Sequence, residues 1–213
     1  YINKFSTCWV PDAAGIMNLA GALSHPAILP KVPVTYLGPL SRFKKRDVES
    51  KYDLCIILSG PEPQRTIFEK IILQDLNKAE GKVCLVRGLP SETEVPRLNN
   101  SSIEIKNHLA AEELNNVMLQ SKIIISRCGY STVMDLVNLQ KKAILIPTPG
   151  QTEQEYLGGY LQEQKIFYGV DQNSFSLPEV LKSAAAFEFN TASFTVNDYE
   201  NVVENFVATL RHQ

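Results

Sequence analysis

The chain has 213 residues, of which 44% are hydrophobic and 21% are charged, so it contains enough apolar material for one α/β domain with a sizeable core. This composition excludes an intrinsically disordered chain. The net charge of -2 gives no overall electrostatic reason to bind nucleic acid, so any phosphate recognition must be local. No apolar run approaches the ~20 residues that a membrane-spanning helix needs.

Four cysteines are widely spaced and form no C-x-x-C pair. Two of them lie within apolar runs, which favours buried thiols over a disulfide framework or a metal site. We therefore expect reduced cysteines and a cytoplasmic location. The four residues are Cys8, Cys55, Cys84 and Cys128.

The first forty residues differ in character from the rest of the chain. Residues 5–10 and 34–37 are predicted strands, and the long segment between them is rich in proline without helical periodicity. Two strands and a loop cannot bury a core of their own. We expect residues 1–40 either to join the edge of the main sheet or to be the tail of a preceding domain with its linker.

From residue 51 onward, apolar strands alternate with amphipathic helices, which predicts a parallel sheet covered by helices on both faces. The fold class expected for residues 41–195 is therefore α/β, with a Rossmann-like sheet, and residues 196–213 are expected to contain a final helix. Predicted strands are residues 52–58, 83–86, 103–105, 123–125, 143–146 and 167–170. Predicted helices are residues 63–76, 110–120, 130–139 and 153–164, one capped by Ser176, and residues 197–210.

The strongest functional signal lies between Ser126 and Asp135, where an apolar strand ends in a turn that opens a helix. Backbone N–H groups near Ser131 and Thr132 are expected to be unpaired at this helix N-terminus, which is where an anion binds. Asp135 follows one turn later, and ribose hydroxyls would supply the hydrogen bonds that a carboxylate beside a phosphate requires. The alternative is that Ser131 or Thr132 caps the helix and Asp135 is a first-turn acid favoured by the dipole.

Two further loops follow predicted strands, and ligands of open parallel sheets bind at that edge. In the loop at 59–65, Gly60 permits close backbone approach and Arg65 is a candidate phosphate ligand, although an ordinary strand-to-helix turn also explains them. The loop at 106–109 carries Asn107, His108 and Leu109, whose backbone is expected to meet a base edge. The alternative for His108 is a structural histidine.

A fourth loop, residues 147–156, is longer and more polar than a simple connection requires. Its amide and carboxylate groups, especially Gln154 and Glu155, suggest recognition of hydroxyls. The alternative is a capping box in which Thr152 caps the next helix and Glu155 completes the motif three residues later.

Two motifs together resemble one family. The pattern S-R-x-G-x-x-T-x-x-D after a buried strand, followed by P-x-P-G-Q-x-E-Q-E-Y, is similar to the carboxyl-terminal domain of family 28 glycosyltransferases. The resemblance covers residues 41–170, and residues 38–42 are similar to the G-N-P-V-R segment that ends the family's amino-terminal domain. It implies a GT-B architecture of two Rossmann-like domains, in which the carboxyl-terminal domain holds a nucleotide-sugar donor.

The resemblance also implies a role for each matching residue of a UDP-sugar site. The diphosphate is assigned to Gly129, Tyr130, Ser131 and Thr132, the ribose to Asp135, the uracil to Asn107, His108 and Leu109, the sugar to Gln154 and Glu155, and the glycine-rich first loop to Gly60. Two positions depart from the family. The first loop reads S-G-P-E-P and places a carboxylate, Glu62, near the expected phosphate. Asp135 stands where the family has glutamate.

The implied chemistry is an inverting sugar transfer with no cofactor and no metal, because helix dipole and side chains hold the leaving diphosphate. The base for the acceptor belongs to the family's amino-terminal domain, so we expect this chain to bind a donor without transferring it. Expected partners are the nucleotide sugar and that domain but no nucleic acid, with membrane-surface association in the full-length protein. The alternatives are a non-catalytic nucleotide-sugar-binding module and a nucleotide-sugar epimerase or hydrolase.

Overall fold

The computed structural model describes residues 1–190 and 199–211 of the chain. Near its start, strands β1 (Cys8–Val10) and β2 (Val34–Tyr36) pair in parallel and form a small sheet of their own. Both predicted strands are thereby confirmed. Within the described ranges neither strand pairs with the main sheet, so the expectation that this segment joins its edge is wrong.

The loop between β1 and β2 is organised around one buried carboxylate. Asp12 is fully buried and accepts three backbone N–H groups at 2.7 to 3.0 Å and the Ser24 hydroxyl at 2.6 Å. The loop also contacts the main domain, since the N–H of Ala22 donates to the Tyr156 hydroxyl at 2.8 Å. Hydrogen bonds to Asp12 therefore replace regular helix in keeping this proline-rich segment compact.

Six parallel strands form the main sheet, and all six predicted strands are confirmed. The apolar runs of the four central strands are buried on both faces, as expected for a sheet covered by helices, whereas the two edge strands are only partly buried. The strands are β3 (Tyr52–Ile57), β4 (Val83–Val86), β5 (Ile103–Lys106), β6 (Ser121–Arg127), β7 (Lys142–Ile146) and β8 (Tyr168–Gly169). Their order across the sheet is β5-β4-β3-β6-β7-β8, so the order reverses between β3 and β6.

Helices cover both faces of this sheet. They are α1 (Gln64–Leu76), α2 (Ala111–Leu119), α3 (Tyr130–Asn138), α4 (Thr152–Glu163) and α5 (Leu177–Ala186), while a further helix, α6 (Tyr199–Leu210), contacts β1 instead. The apolar sides of α2, α3 and α4 pack into one core cluster, and those of α1 and α5 pack into a second cluster on the opposite face. The predicted α/β fold with a doubly covered parallel sheet is confirmed.

One detail of the predicted helices differs in the structure, and another lies outside the described residues. Ser176 occupies the N-cap position of α5, but its side chain makes no capping hydrogen bond. The predicted start of the last helix at residues 197 and 198 lies outside the described residues. In the part of the chain that is described, no helix has both the length and the apolar content needed to cross a membrane.

All four cysteines are free thiols, which confirms the prediction against disulfides. Cys55, Cys84 and Cys128 are buried, whereas Cys8 is only partly buried. Burial raises the pKa of the Cys128 thiol to about 12, so this group is un-ionised at neutral pH.

Candidate functional site

The candidate site lies at the carboxyl edge of the sheet, where the strand order reverses between β3 and β6. In open parallel sheets this reversal opens a crevice between neighbouring loops. A cavity of about 330 Å³ is found there, lined by the loops after β3, β4 and β5, the start of α3 and the segment before β3. The lining residues that matter most are Arg42, Gly88, His108, Leu109, Thr132 and Asp135.

Helix α3 presents unpaired backbone N–H groups at one end of this cavity. Gly129 is its N-cap residue, and the first backbone bond of the helix runs from the Val133 N–H to the Gly129 carbonyl at 3.0 Å. Within the described chain, the N–H groups of Tyr130, Ser131 and Thr132 meet no acceptor. The N-cap makes no side-chain hydrogen bond, so the alternative that Ser131 or Thr132 caps the helix is wrong.

Asp135 is buried in the wall of the cavity, one and a half turns into α3. This position lies beyond the first turn, so the alternative that Asp135 is a first-turn acid is also wrong. Its carboxylate accepts the Ser41 hydroxyl at 2.6 Å and the backbone N–H of Arg42. Burial raises the pKa of Asp135, and these hydrogen bonds offset part of that increase. The carboxylate therefore joins α3 to the segment that carries Arg42.

The loop after β5 places two of its three predicted residues at the cavity. His108 and Leu109 line it, and the His108 side chain is exposed. Asn107 does not line the cavity, and its side chain is engaged in hydrogen bonds within the protein. Its amide donates to the carbonyls of Glu92 and Glu94 at 2.9 and 3.1 Å, and its Oδ1 accepts from Arg87 at 2.7 Å.

The loop after β3 differs from the prediction in its charged residues. Arg65 is buried, and its guanidinium donates to Glu62 at 2.6 Å and to Glu69 at 3.0 Å. Because Arg65 is bound to these two carboxylates, it is not free to reach a phosphate as predicted. The hydrogen bond from Arg65 also lowers the pKa of Glu62. The carboxylate near the expected phosphate is therefore paired with a cation within the loop.

Gly60 adopts a backbone conformation that favours glycine. Its φ of 98° lies in the region that side chains rarely adopt, so a glycine is required at this turn. A Cβ atom at this position would lie 3.9 Å from the Thr148 hydroxyl, which is buried and has no partner in the described residues. A ligand can therefore approach the backbone of Gly60 closely beside β7.

The loop before α4 is held by its own side chains. Gln154 Oε1 accepts the N–H of Thr148 at 3.0 Å, and Glu155 Oε1 accepts the N–H of Gly150 at 2.8 Å. The N-cap of α4 is Gln151 rather than Thr152, so the alternative of a capping box formed by Thr152 and Glu155 is wrong. Glu155 lines a separate cavity of about 280 Å³ on the far side of this loop.

A neighbouring residue, Glu153, instead faces the side on which α3 begins. It lines a cavity of about 540 Å³ together with Tyr130, Tyr156 and the loop between β1 and β2. The Tyr130 hydroxyl donates to the Pro11 carbonyl at 2.8 Å, and burial raises the pKa of that hydroxyl. Tyr130 therefore lines this larger cavity and not the one that holds Asp135.

Three residues that line these cavities are not among those that the sequence assigned to the site. Arg42 belongs to the quoted segment at 38–42, but its approach to Asp135 is a long-range contact. Gly88 comes two residues after a predicted strand, which is the signal that could have revealed it. Its φ is 73°, and a Cβ atom would lie 2.4 Å from the Leu58 carbonyl oxygen. Glu153 directly precedes Gln154, to which the sequence assigns recognition of the sugar.

Known proteins resemble the chain in sequence. A model described as the glycosyltransferase family 28 C-terminal domain matches residues 55–206. The curated UDP-N-acetylglucosamine--N-acetylmuramyl-(pentapeptide) pyrophosphoryl-undecaprenol N-acetylglucosamine transferase of Sulfurihydrogenibium sp. (strain YO3AOP1) is 24% identical over 164 residues. That alignment covers 71% of this chain and 46% of the relative, so the chain spans less than half of that protein's length.

Solved structures resemble the chain in fold. MurG of Acinetobacter baumannii matches with a TM-score of 0.52 at 16% identity, over 78% of this chain and 50% of that one. The glycosyltransferase of kitacinnamycin gives 0.56 at 14% identity, over 79% and 44%. VinC, solved in complex with dTDP, gives 0.51 at 11% identity, over 73% and 40%. These structures share the GT-B fold. Because the family model matches well over half of its residues, this chain belongs to glycosyltransferase family 28 and carries that family's C-terminal domain.

Proposed function

We propose that this chain binds the donor of a sugar transfer, a UDP-sugar, with the diphosphate at the N-terminus of α3. One observation carries the proposal. The N–H groups of Tyr130, Ser131 and Thr132 are unpaired at the point where the strand order of the sheet reverses. A helix N-terminus attracts an anion through these N–H groups and through the helix dipole.

A guanidinium supports the same anion site. Arg42 lines the cavity together with Thr132, and it stacks against Phe43 with 4.9 Å between its guanidinium carbon and the ring centre. A cation held beside a helix N-terminus adds a second favourable charge for a diphosphate. During transfer the diphosphate leaves with increasing negative charge, which preorganised dipoles and a fixed cation stabilise without rearrangement.

The nucleoside fits the cavity behind this anion site. A volume of about 330 Å³ is at the small end of ligand pockets and suits a nucleoside. Asp135 supplies a carboxylate for the ribose hydroxyls, and the backbone of His108 and Leu109 supplies donors and acceptors for a base edge. Asp135 is one methylene shorter than the family's glutamate, and its anchorage by Ser41 fixes where the ribose sits.

The donor sugar is proposed to extend toward the larger cavity beyond Tyr130. Glu153 lines that cavity and offers carboxylate oxygens to sugar hydroxyls. Gln154 and Glu155, the residues first assigned to the sugar, hold the preceding loop through Thr148 and Gly150. We therefore assign hydroxyl recognition to Glu153 and the support of this wall to Gln154 and Glu155.

The full-length protein is proposed to transfer that sugar with inversion to an acceptor hydroxyl. Such a transfer needs a base that takes the acceptor's proton, and family resemblance assigns this base to the amino-terminal domain. We therefore expect these 213 residues to bind the donor without transferring it. A nucleotide-sugar donor and buried free thiols both fit a cytoplasmic location.

Calorimetric titration of the chain with UDP, UDP-N-acetylglucosamine, GDP and dTDP tests this proposal. Saturable binding is expected, with the uridine nucleotides binding most tightly. If none of the four ligands binds at millimolar concentration, the donor site does not exist. If GDP binds most tightly, the diphosphate site stands but the assignment of uracil to His108 and Leu109 fails.

A further inference from the structure

A buried ion network lies directly behind the proposed base wall. Glu69 on α1 is only 5% exposed and receives two guanidinium groups. Arg65 donates to one carboxylate oxygen at 3.0 Å, and Arg87 donates to the other. The side chains of Arg87 and Glu69 are 13% and 7% exposed, so this pair is shielded from solvent and weakly screened by salt.

Arg87 connects this network to the loop that meets the base. Its Nη1 donates to Asn107 Oδ1 at 2.7 Å and to the Glu94 carbonyl at 3.0 Å. The backbone carbonyl of Asn107 also accepts the N–H of Leu89 at 2.7 Å. The residue that precedes His108 is thus fixed by a cation whose own position is fixed by Glu69.

The same contacts fix the loop after β4. The Asn107 amide holds the carbonyls of Glu92 and Glu94, and Arg87 holds the latter as well. Gly88, which lines the cavity, lies in this loop against the end of β3. Two parts of the cavity wall, Gly88 and His108, therefore depend on one guanidinium group.

We propose that Arg87 is a positioning residue that sets the shape of the base pocket, with Glu69 as its anchor. The proposal rests on the proposed donor site. Arg87 does not line the cavity, so it acts through Asn107 and the loop after β4 rather than by touching the nucleotide. A planar guanidinium can bind Glu69, Asn107 and Glu94 at once, because its donors are spread over three nitrogen atoms. The donors of a lysine all lie on one nitrogen atom, which cannot reach all three partners.

The test measures the contribution of the base separately from that of the phosphates. The dissociation constants of UDP and of inorganic pyrophosphate are measured for the unchanged chain, for Arg87→Met and Arg87→Lys, and for Arg97→Met as a control. Arg97 is an exposed arginine ten residues further along the chain. Circular dichroism and the melting temperature of each variant report whether the fold is retained.

Arg87→Met and Arg87→Lys are both expected to weaken UDP binding about tenfold while pyrophosphate binding changes less than about twofold. Arg97→Met is expected to change neither. Glu69 keeps Arg65 in both Arg87 variants, and Arg87→Lys also keeps a cation beside it, so this variant is expected to fold even if Arg87→Met does not.

Three results overturn the inference. UDP binding that is unchanged in Arg87→Lys shows that the network does not shape the pocket. Equal losses for UDP and pyrophosphate, or a failure of Arg87→Lys to fold, show that Arg87 only supports the fold. A chain that binds neither ligand before any substitution instead refutes the proposed donor site itself.

Discussion

Asp135 is the residue on which the assignment of a nucleoside depends. It is a buried carboxylate in the cavity wall, and Ser41 and Arg42 supply two hydrogen bonds, which leaves acceptor capacity for a ribose. Asp135→Ala is expected to weaken UDP binding by about tenfold or more, because hydrogen bonds to a charged group are lost. Calorimetry checks this loss, and unchanged affinity with an intact fold would limit Asp135 to tethering residues 41 and 42.

The raised pKa of Asp135 predicts a pH dependence of binding. Burial places its midpoint above the ordinary value of about 3.9. Ribose hydroxyls favour the ionised form, so UDP affinity should fall as pH decreases through this raised pKa. The stability of the fold should change in the opposite direction and increase as the pH decreases, because a raised pKa means that protonation of Asp135 favours the folded state.

Asp135→Asn isolates that effect, since the phosphates of UDP titrate equally against both proteins. The ratio of the two dissociation constants should be largest at pH 7 and should shrink as the pH is lowered toward 4. A ratio that stays constant over this range would show that the ionised carboxylate does not contribute to binding.

At the scale of single elements, the N-terminus of α3 can be tested with one charge. Ser131 is exposed in the first turn, so Ser131→Glu places a carboxylate where the diphosphate is proposed to bind. The helix dipole should make this change neutral or stabilising by about 0.5 kcal/mol, while UDP affinity should fall at least about tenfold through repulsion. Thermal unfolding and calorimetry measure the two effects.

Ser183→Glu is the matched control, since Ser183 is exposed in the second half of α5. It adds the same charge away from α3 and should leave UDP affinity unchanged. If both variants weaken binding equally, the loss reflects net charge rather than the N-terminus of α3.

The turn after β4 predicts a second effect at this scale. Gly88→Ala forces a side chain into a positive φ and brings Cβ to 2.4 Å from the Leu58 carbonyl oxygen. Destabilisation of about 1–3 kcal/mol is expected from denaturant unfolding. Gly159→Ala on α4 is the control, because its Cβ would meet nothing within 4 Å, and it should stabilise the helix by about 0.5–1 kcal/mol. Equal effects of the two variants would contradict this account.

The elements themselves could be predicted because their signals are local. Consecutive β-branched residues and helical stripes are contained within each segment, and so is the turn that opens α3. The wrong residue before α4 has an equally local cause. The N-cap is Gln151 rather than Thr152, so α4 begins one residue earlier than the alternative assumed, and a shift of one residue rotates an α-helix by about 100°.

Other parts of the site depend on contacts between distant segments. The approach of Arg42 to Asp135 joins residues more than ninety positions apart, and no local pattern reports it. The pairing of Arg65 is different, because Glu62 stands three residues before it and Glu69 four residues after it along the chain. That spacing was a readable signal that Arg65 was already occupied.

At the scale of the whole molecule, the last helix and the first sheet are joined by one aromatic contact. Trp9 on β1 and Phe206 on α6 meet edge to face with 5.2 Å between their ring centres. The chain has a single tryptophan, so its fluorescence reports this contact directly. Phe206→Ala should shift the emission of Trp9 to longer wavelength and cost about 1 kcal/mol of stability.

UDP affinity should be unchanged in Phe206→Ala, since neither ring lines the proposed donor cavity. Phe5→Ala serves as a control, because Phe5 is 67% exposed and near the same sheet. An unshifted emission would show that Trp9 and Phe206 do not pack together in solution.

The central claim is that the amides at the N-terminus of α3 receive the diphosphate of a nucleotide. Amide resonances followed by NMR during titration with UDP and with pyrophosphate test it most directly. The amides of Tyr130, Ser131 and Thr132 should shift saturably with both ligands, and those of His108 and Leu109 should shift with UDP alone. Saturable UDP binding that leaves residues 130–132 unshifted would contradict the account.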